Sequence, residues 1–121
     1  MTKTVLIAED EPHIVELLTF LLEREGYAVT AAADGEAALT VLANTTPDLA
    51  VLDVMMPKQS GFDVLREARN DPRHKDLPII ILTARGQTRD RETAIEMGAD
   101  AFIAKPFSNQ DVLATLRRLG A

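Results

Sequence analysis

The sequence predicts an α/β fold, a five-stranded doubly wound parallel sheet with helices on both faces, and three observations lead there. Strand-like and helix-like stretches alternate five times along the 121 residues, as consecutive strand–helix units of a parallel sheet do. The runs Val5-Leu6-Ile7-Ala8, Leu49-Ala50-Val51-Leu52 and Ile79-Ile80-Ile81-Leu82 are continuously apolar rather than alternating, which suits strands buried on both faces. Each of these runs, and Phe102-Ile103-Ala104 as well, stops at polar residues: Glu9-Asp10, Asp53, Thr83 and Lys105-Pro106.

The elements follow in order. After the first strand, Pro12 occupies a first-turn position, and Ile14, Leu17, Leu18, Leu21 and Leu22 form one apolar stripe before Gly26 stops the helix. Tyr27-Ala28-Val29-Thr30-Ala31-Ala32 is shorter of aliphatic residues and reads as an edge strand. Asp34-Gly35 turns into a second helix bearing Ala38, Val41 and Leu42, closed by Asn44-Thr45-Thr46-Pro47. The run at 49–52 is the third strand. Ser60 with Asp63 marks the next helix start, with Phe62, Leu65 and Ala68 facing inward. Asp71-Pro72-Arg73-His74-Lys75-Asp76 is the most polar connector and reads as a mobile loop before the fourth strand. A fourth helix, Thr88 to Met97, ends at Gly98 and has a thin apolar face of Ala94, Ile95 and Met97. Ser108 with Asp111 caps the last helix, which packs Val112, Leu113, Leu116 and Leu119 inward and ends at Gly120.

The length suits one domain with its own core. The absence of cysteine excludes disulfides and thiolate metal sites. Met1-Thr2-Lys3-Thr4 leads into an apolar run too short for a signal peptide, and nothing reaches membrane-spanning length, so a cytoplasmic protein is expected. A net charge of −6 argues against nonspecific binding to nucleic acid or an anionic membrane.

A strand order of 2-1-3-4-5 would open a crevice between Asp10 and Asp53, where the connections of strands one and three leave in opposite directions. With strands ~4.8 Å apart, Thr83 lies one spacing from Asp53 and Lys105 two. Carboxylates crowded at neighbouring strand ends need a cation, and Mg²⁺ suits oxygen ligands, retained waters and a bridge to phosphate. Asp10 and Asp53 are assigned as direct ligands, Glu9 as a ligand acting through water, and the Met55 backbone carbonyl as a third protein ligand. Asp53, central in the cluster, is the candidate nucleophile for an aspartyl phosphate. The Lys105 ammonium would neutralise the transferring phosphoryl group, and the Thr83 hydroxyl would donate to one of its oxygens.

These stretches resemble the CheY-like receiver domain of two-component response regulators over essentially the whole chain. The matching segments are Ile7-Ala8-Glu9-Asp10-Glu11, Leu52-Asp53-Val54-Met55-Met56-Pro57 through Gly61, Leu82-Thr83-Ala84-Arg85, Gly98-Ala99-Asp100 and Lys105-Pro106-Phe107. The resemblance implies a flavodoxin-like (βα)5 fold and a histidine kinase as phosphodonor. It further implies Asp53 as acceptor, a requirement for Mg²⁺, and a cis Lys105-Pro106 bond aiming the lysine into the site. It also implies a switch pair, Thr83 and Phe102, that reshapes the surface of the fourth helix, fifth strand and fifth helix for a downstream protein partner. The Thr83-Ala84-Arg85-Gly86 and Lys105-Pro106-Phe107-Ser108 stretches are closest to the OmpR/PhoB transcription-factor branch. Thr93, Ala101 and Thr115 stand where that branch usually offers charged dimer contacts. The expectation is therefore a single receiver over residues 1–121 without an output domain, monomeric or weakly dimeric, binding proteins rather than DNA.

Plainer readings stand beside these. Glu11 reads as a charge favouring a helix N-terminus. Thr83 also fits as an ordinary β-branched strand residue, although Ala84 beside it leaves room for a phosphate. Phe102 reads equally as half-buried packing. His13 and His74 read as solvated surface residues, Met55 and Met56 as loop packing, and Met55, Met56 and Arg85 as candidates for tuning water attack on the phosphate. Rival functions are a phosphorelay intermediate, a constitutive protein-binding receiver and a small phosphohydrolase or nucleotide-binding enzyme. The last lacks a glycine-rich phosphate loop and a second acid two residues after Asp53. Beyond its own phosphorylation and dephosphorylation, no enzyme activity is expected.

Overall fold

The computed structural model describes residues 2–84 and 88–120. Its elements run β1 (Lys3–Ala8), α1 (Pro12–Arg24), β2 (Tyr27–Ala32), α2 (Gly35–Asn44), β3 (Leu49–Asp53), α3 (Gly61–Asn70), β4 (Ile79–Ala84), α4 (Thr88–Glu96), β5 (Ala101–Lys105) and α5 (Asn109–Arg118). The five strands form one sheet in the order β2-β1-β3-β4-β5, every pair parallel. This is the doubly wound order expected from the sequence.

The unbroken aliphatic runs are explained by two cores, one on each sheet face. Leu6, Ala8, Ala50, Leu52, Ile79 and Ile81 point to α2, α3 and α4, where they meet Ala38, Leu42, Val64, Leu65, Ala68 and Ala94. The intervening residues Val5, Ile7, Leu49, Val51, Ile80 and Leu82 point to α1 and α5, against Leu18, Leu21, Leu22, Val112 and Leu116. Alternate side chains of one strand enter different cores, so the central strands carry polar residues only at their ends. β2, paired on one side only, exposes Ala28, Thr30 and Ala31.

Local chemistry sets the helix starts. The Asp34 carboxylate accepts from the Ala37 N–H at 2.8 Å. Ser60 with Asp63, and Ser108 with Asp111, form reciprocal capping boxes that open α3 and α5. The Glu11 carboxylate accepts from the His13 N–H at the head of α1. α1 runs out at Gly26, whose φ of 94° suits a residue without a β-carbon.

Three expectations are corrected. His74 is not a solvated surface residue: it is 1% exposed, with Nε2 2.7 Å from the Leu42 carbonyl. The 71–76 connector is accordingly anchored rather than loose. Arg73 donates to the Ala43 carbonyl at 3.1 Å and pairs with Asp71 at 2.8 Å. Arg69 donates to the His74 carbonyl at 3.0 Å, to the Gly98 carbonyl at 2.9 Å and to Asp100 at 2.9 Å. Polar composition suggested mobility because the sequence gives no hint that these donors close the carbonyl ends of α2 and α4. Ile95 is 56% exposed, leaving Ala94 as the buried residue of α4. No helix among the described residues is long and apolar enough to cross a membrane.

His74→Ala should therefore lower stability by about 2 kcal/mol, through a cavity and the loss of its bond to the Leu42 carbonyl, which keeps only the longer contact from Arg73 at 3.4 Å. The urea midpoint at unchanged m-value reads this, and a loss under about 0.5 kcal/mol would place the ring's contribution outside the core.

Candidate functional site

β1 and β3 are neighbours, yet the chain leaves β1 for α1 on one face and β3 for α3 on the other. The crevice so opened at their carboxyl ends receives Glu9 and Asp10, which follow β1, and Asp53, the last residue of β3. Each of these three acids offers a carboxylate oxygen within 4.8 Å of the others. Glu9 and Asp53 are buried while Asp10 is exposed. The Glu9 N–H donates to the Ala32 carbonyl at 3.0 Å, fixing where the chain leaves the sheet.

Lys105 closes the cluster from the far side. Its Nζ lies 2.7 Å from Glu9 Oε1 and 3.1 Å from Asp53 Oδ1. The Lys105–Pro106 peptide is cis. Thr83, 1% exposed, ends the apolar part of β4 next to Asp53, whose register partner is Leu82. Its Oγ1 is buried without a hydrogen-bond partner, and so is Glu9 Oε2. Two orphaned polar atoms in one small site are unusual, because such groups ordinarily find partners.

The backbone at Asp53 is tightly held. The Val54 N–H donates to the Leu82 carbonyl at 3.1 Å, and the Gly61 N–H donates to the Val54 carbonyl at 3.2 Å. A β-carbon at Gly61 would sit 2.3 Å from the Asp53 carbonyl oxygen, so only glycine lets the start of α3 press against that residue. Asp10, Val54, Met55, Met56, Pro57 and Ser60 line an open cleft of about 440 Å³ beside the acids. Met55 is 74% exposed, which corrects its reading as loop packing, whereas Met56 does pack against the core. Phe102 is half-buried, with the Arg91 guanidinium 4.4 Å from its ring centroid. His13 is exposed as expected, and Arg85 lies outside the described residues.

Three carboxylates face one ammonium, leaving excess negative charge. Burial, and then contact with Asp53, push Glu9 up from 4.5 to about 8, while Lys105 works the other way. Burial works against the charge of Lys105, but Glu9 and Asp53 outweigh it and raise its pKa. Hard oxygen donors, uncompensated charge and an unpartnered buried Glu9 oxygen fit a small divalent cation such as Mg²⁺.

Residues 5–117 match the family model of the response regulator receiver domain. The chain belongs to that family. It is 42% identical to the alkaline phosphatase synthesis transcriptional regulatory protein PhoP of Bacillus subtilis, over 98% of this chain and 49% of that protein. The chain spans about half the length of the curated relatives it matches. The chemotaxis response regulator CheY4 of Vibrio cholerae superposes with a TM-score of 0.91 at 30% identity, covering 98% of this chain and 99% of that one. The receiver domain of the sensor histidine kinase PA1611 of Pseudomonas aeruginosa, solved with a magnesium ion in its active site cleft, superposes with a TM-score of 0.87 at 30% identity, each chain fully covered. Receiver domains take phosphoryl groups from histidine kinases and bind Mg²⁺ at an acidic pocket. Phosphorylation-dependent two-component signalling is the functional class. Relatives include transcriptional regulators, so the exclusion of nucleic acid, argued from the charge of these residues, does not extend to whole proteins that contain such domains.

Sequence reasoning brought Glu9, Asp10, Asp53, Thr83 and Lys105 to one edge but missed the direct Glu9–Lys105 pair. β5 and β1 are three strand spacings apart, ~14 Å, which two long side chains span by meeting over Asp53. The stacking of Arg91 on Phe102 was also missed, and no spacing in the sequence signals it.

The raised Glu9 pKa has a measurable consequence. In metal-free protein the folded state binds more protons than the unfolded chain between pH 4.5 and about 8. That stability is fully present below the lower value and is lost as pH rises through the upper one. In EDTA the unfolding free energy from urea titration should fall by more than ~1 kcal/mol between pH 5 and pH 8, and Glu9→Gln should flatten that dependence.

Proposed function

We propose that Asp53 is the phosphoacceptor of a signalling switch, charged by a histidine kinase with Mg²⁺ and read by a protein partner. Its burial at 3%, between the acid cluster and Lys105 Nζ, supports this reading most directly. An Asp53 oxygen forms the new bond to phosphorus as the donor's phosphorus–nitrogen bond breaks, its electron pair leaving with the imidazole. Lys105 already sits at hydrogen-bond distance from Asp53 and would follow the negative charge onto the phosphoryl oxygens. Asp10, Asp53 and the Met55 carbonyl would hold Mg²⁺ directly and Glu9 through water, and the ion would neutralise the charge that otherwise keeps a phosphoryl group out.

Thr83 supplies the response. Its buried, unpartnered hydroxyl has an acceptor to gain when Asp53 carries phosphate and loses it on hydrolysis. Phe102, half-buried on β5, takes up the space that opens, and the altered face of α4, β5 and α5 binds a protein partner. Residues 1–121 act as one receiver unit, monomeric or weakly dimeric, working in the cytoplasm and catalysing only their own phosphorylation and dephosphorylation. A phosphorelay role, with Asp53 passing its phosphoryl group to another histidine, uses the same geometry.

Acetyl phosphate with Mg²⁺ should label the chain, EDTA should abolish labelling, and Asp53→Asn should remove it while leaving the fold intact. Labelling of Asp53→Asn at the wild-type rate would make another residue the acceptor. Thr83→Ala should label normally yet lose the difference between bare and beryllium fluoride-loaded protein in a partner pull-down.

A further inference from the structure

We infer that the β2–α2 corner, Asp34-Gly35-Glu36, positions the loop that carries the Met55 carbonyl toward the magnesium site, with Gly35 and Lys58 as its positioning residues. The inference rests on the reading of Asp10 and the Met55 carbonyl as ligands. The loop 54–59 leaves β3 at the acceptor and floors the cleft in which Met55 and Asp10 face one another. Its far end is held by the Gly61 N–H and by the capping box of α3. Its apex closes on itself, the Gln59 N–H donating to the Pro57 carbonyl at 2.8 Å.

That closed apex also leans on the β2–α2 corner, which sets its direction. A β-carbon at Gly35 would fall 2.0 Å from the Gln59 carbonyl oxygen and 2.5 Å from Gln59 Cβ, so the two backbones touch where only glycine fits. The Gly35 N–H donates to the Pro57 carbonyl at 3.4 Å. Lys58 is the non-glycine residue at positive φ among those described, at 68°. Its Nζ lies 3.7 Å from Asp34 Oδ2 and 3.5 Å from Glu36 Oε2.

Stability does not account for Lys58. Glycine adopts its backbone conformation without strain, and an ion pair whose lysine side chain is 58% exposed adds little to folding. The pairs supply direction, tying the loop apex to the first turn of α2. Direction matters because Mg²⁺ requires near-octahedral ligands at about 2.1 Å, whereas Ca²⁺ accepts longer and looser arrangements. A loop freed at its apex therefore loses Mg²⁺ affinity and keeps Ca²⁺ affinity, a split that general destabilisation does not produce.

The test uses the full chain, Mg²⁺ or Ca²⁺ alone in titration calorimetry, and melting in EDTA. Lys58→Gly should melt no lower than wild type yet bind Mg²⁺ about tenfold more weakly, with Ca²⁺ affinity within about twofold. Gly35→Ala should shift Mg²⁺ affinity in the same direction and raise the Mg²⁺ concentration for half-maximal labelling, with the rate recovering at saturation. If Gly35→Ala fails to fold, Lys58→Gly decides alone. Unchanged Mg²⁺ affinity in Lys58→Gly, or equal losses for both ions, overturns the positioning role while the metal site stands. Wild type that binds no Mg²⁺ removes the metal site itself, and this inference with it.

Discussion

The structure depends on holding like charges together at one edge of a parallel sheet. Glu9, Asp10 and Asp53 converge within 4.8 Å, two of them buried, with one ammonium among them. Left to itself such a cluster would splay apart or take up protons, and Glu9 is pushed up first by its burial and then by Asp53 beside it. The crowding persists because the two buried acids are fixed by backbone as well as by their contacts to Lys105. Asp53 is a strand residue between two hydrogen-bonded neighbours, and Glu9 is pinned by its N–H to Ala32 as β1 ends. A site strained in this way has affinity for whatever neutralises it, which is the property a phosphoryl-accepting site with a cation requires.

The cores on both faces make that backbone unyielding. Every residue of β3 is buried, its side chains divided between two packed clusters. Sliding Asp53 along its strand would drag apolar side chains out of register on both faces at once. The same packing explains why Gly61 is needed: α3 is pressed so close that its first residue meets the Asp53 carbonyl. Precision at the carboxylate is thus inherited from burial elsewhere, with few polar contacts of its own.

Much of this was legible in the sequence because it is written in unbroken aliphatic runs and what ends them. Strand identity, the edge position of β2 and both serine capping boxes follow from period and punctuation, and the structure places each as expected. What failed was the reading of polarity without geometry. His74 and Arg73 look like surface residues in a charged connector, but the ends of α2 and α4 expose carbonyls that no local pattern announces, and these side chains and Arg69 fill that need. Ile95 looked like core because it sits beside Ala94, yet on a nine-residue helix held by one buried alanine there is no second apolar row to bury. Lys105 reaches Glu9 across three strand spacings, a distance set by sheet order and side-chain length together, and sheet order rested in part on resemblance.

The uneven anchoring of the helices bears on how a charge change at Asp53 would travel. α1, α3 and α5 each bury several side chains against the sheet, whereas α4 is held by Ala94, by Arg69 on the Gly98 carbonyl at its end, and by Arg91 stacked on Phe102. The first two holds lie at the core and at the end remote from the site. The third joins α4 to β5, the strand that ends in Lys105, so it is the contact most directly exposed to a rearrangement around Asp53. Elements with few buried contacts open at the lowest cost. β3, buried at every residue, is thus the rigid neighbour of Thr83 and Lys105, and α4 is the lightly held one.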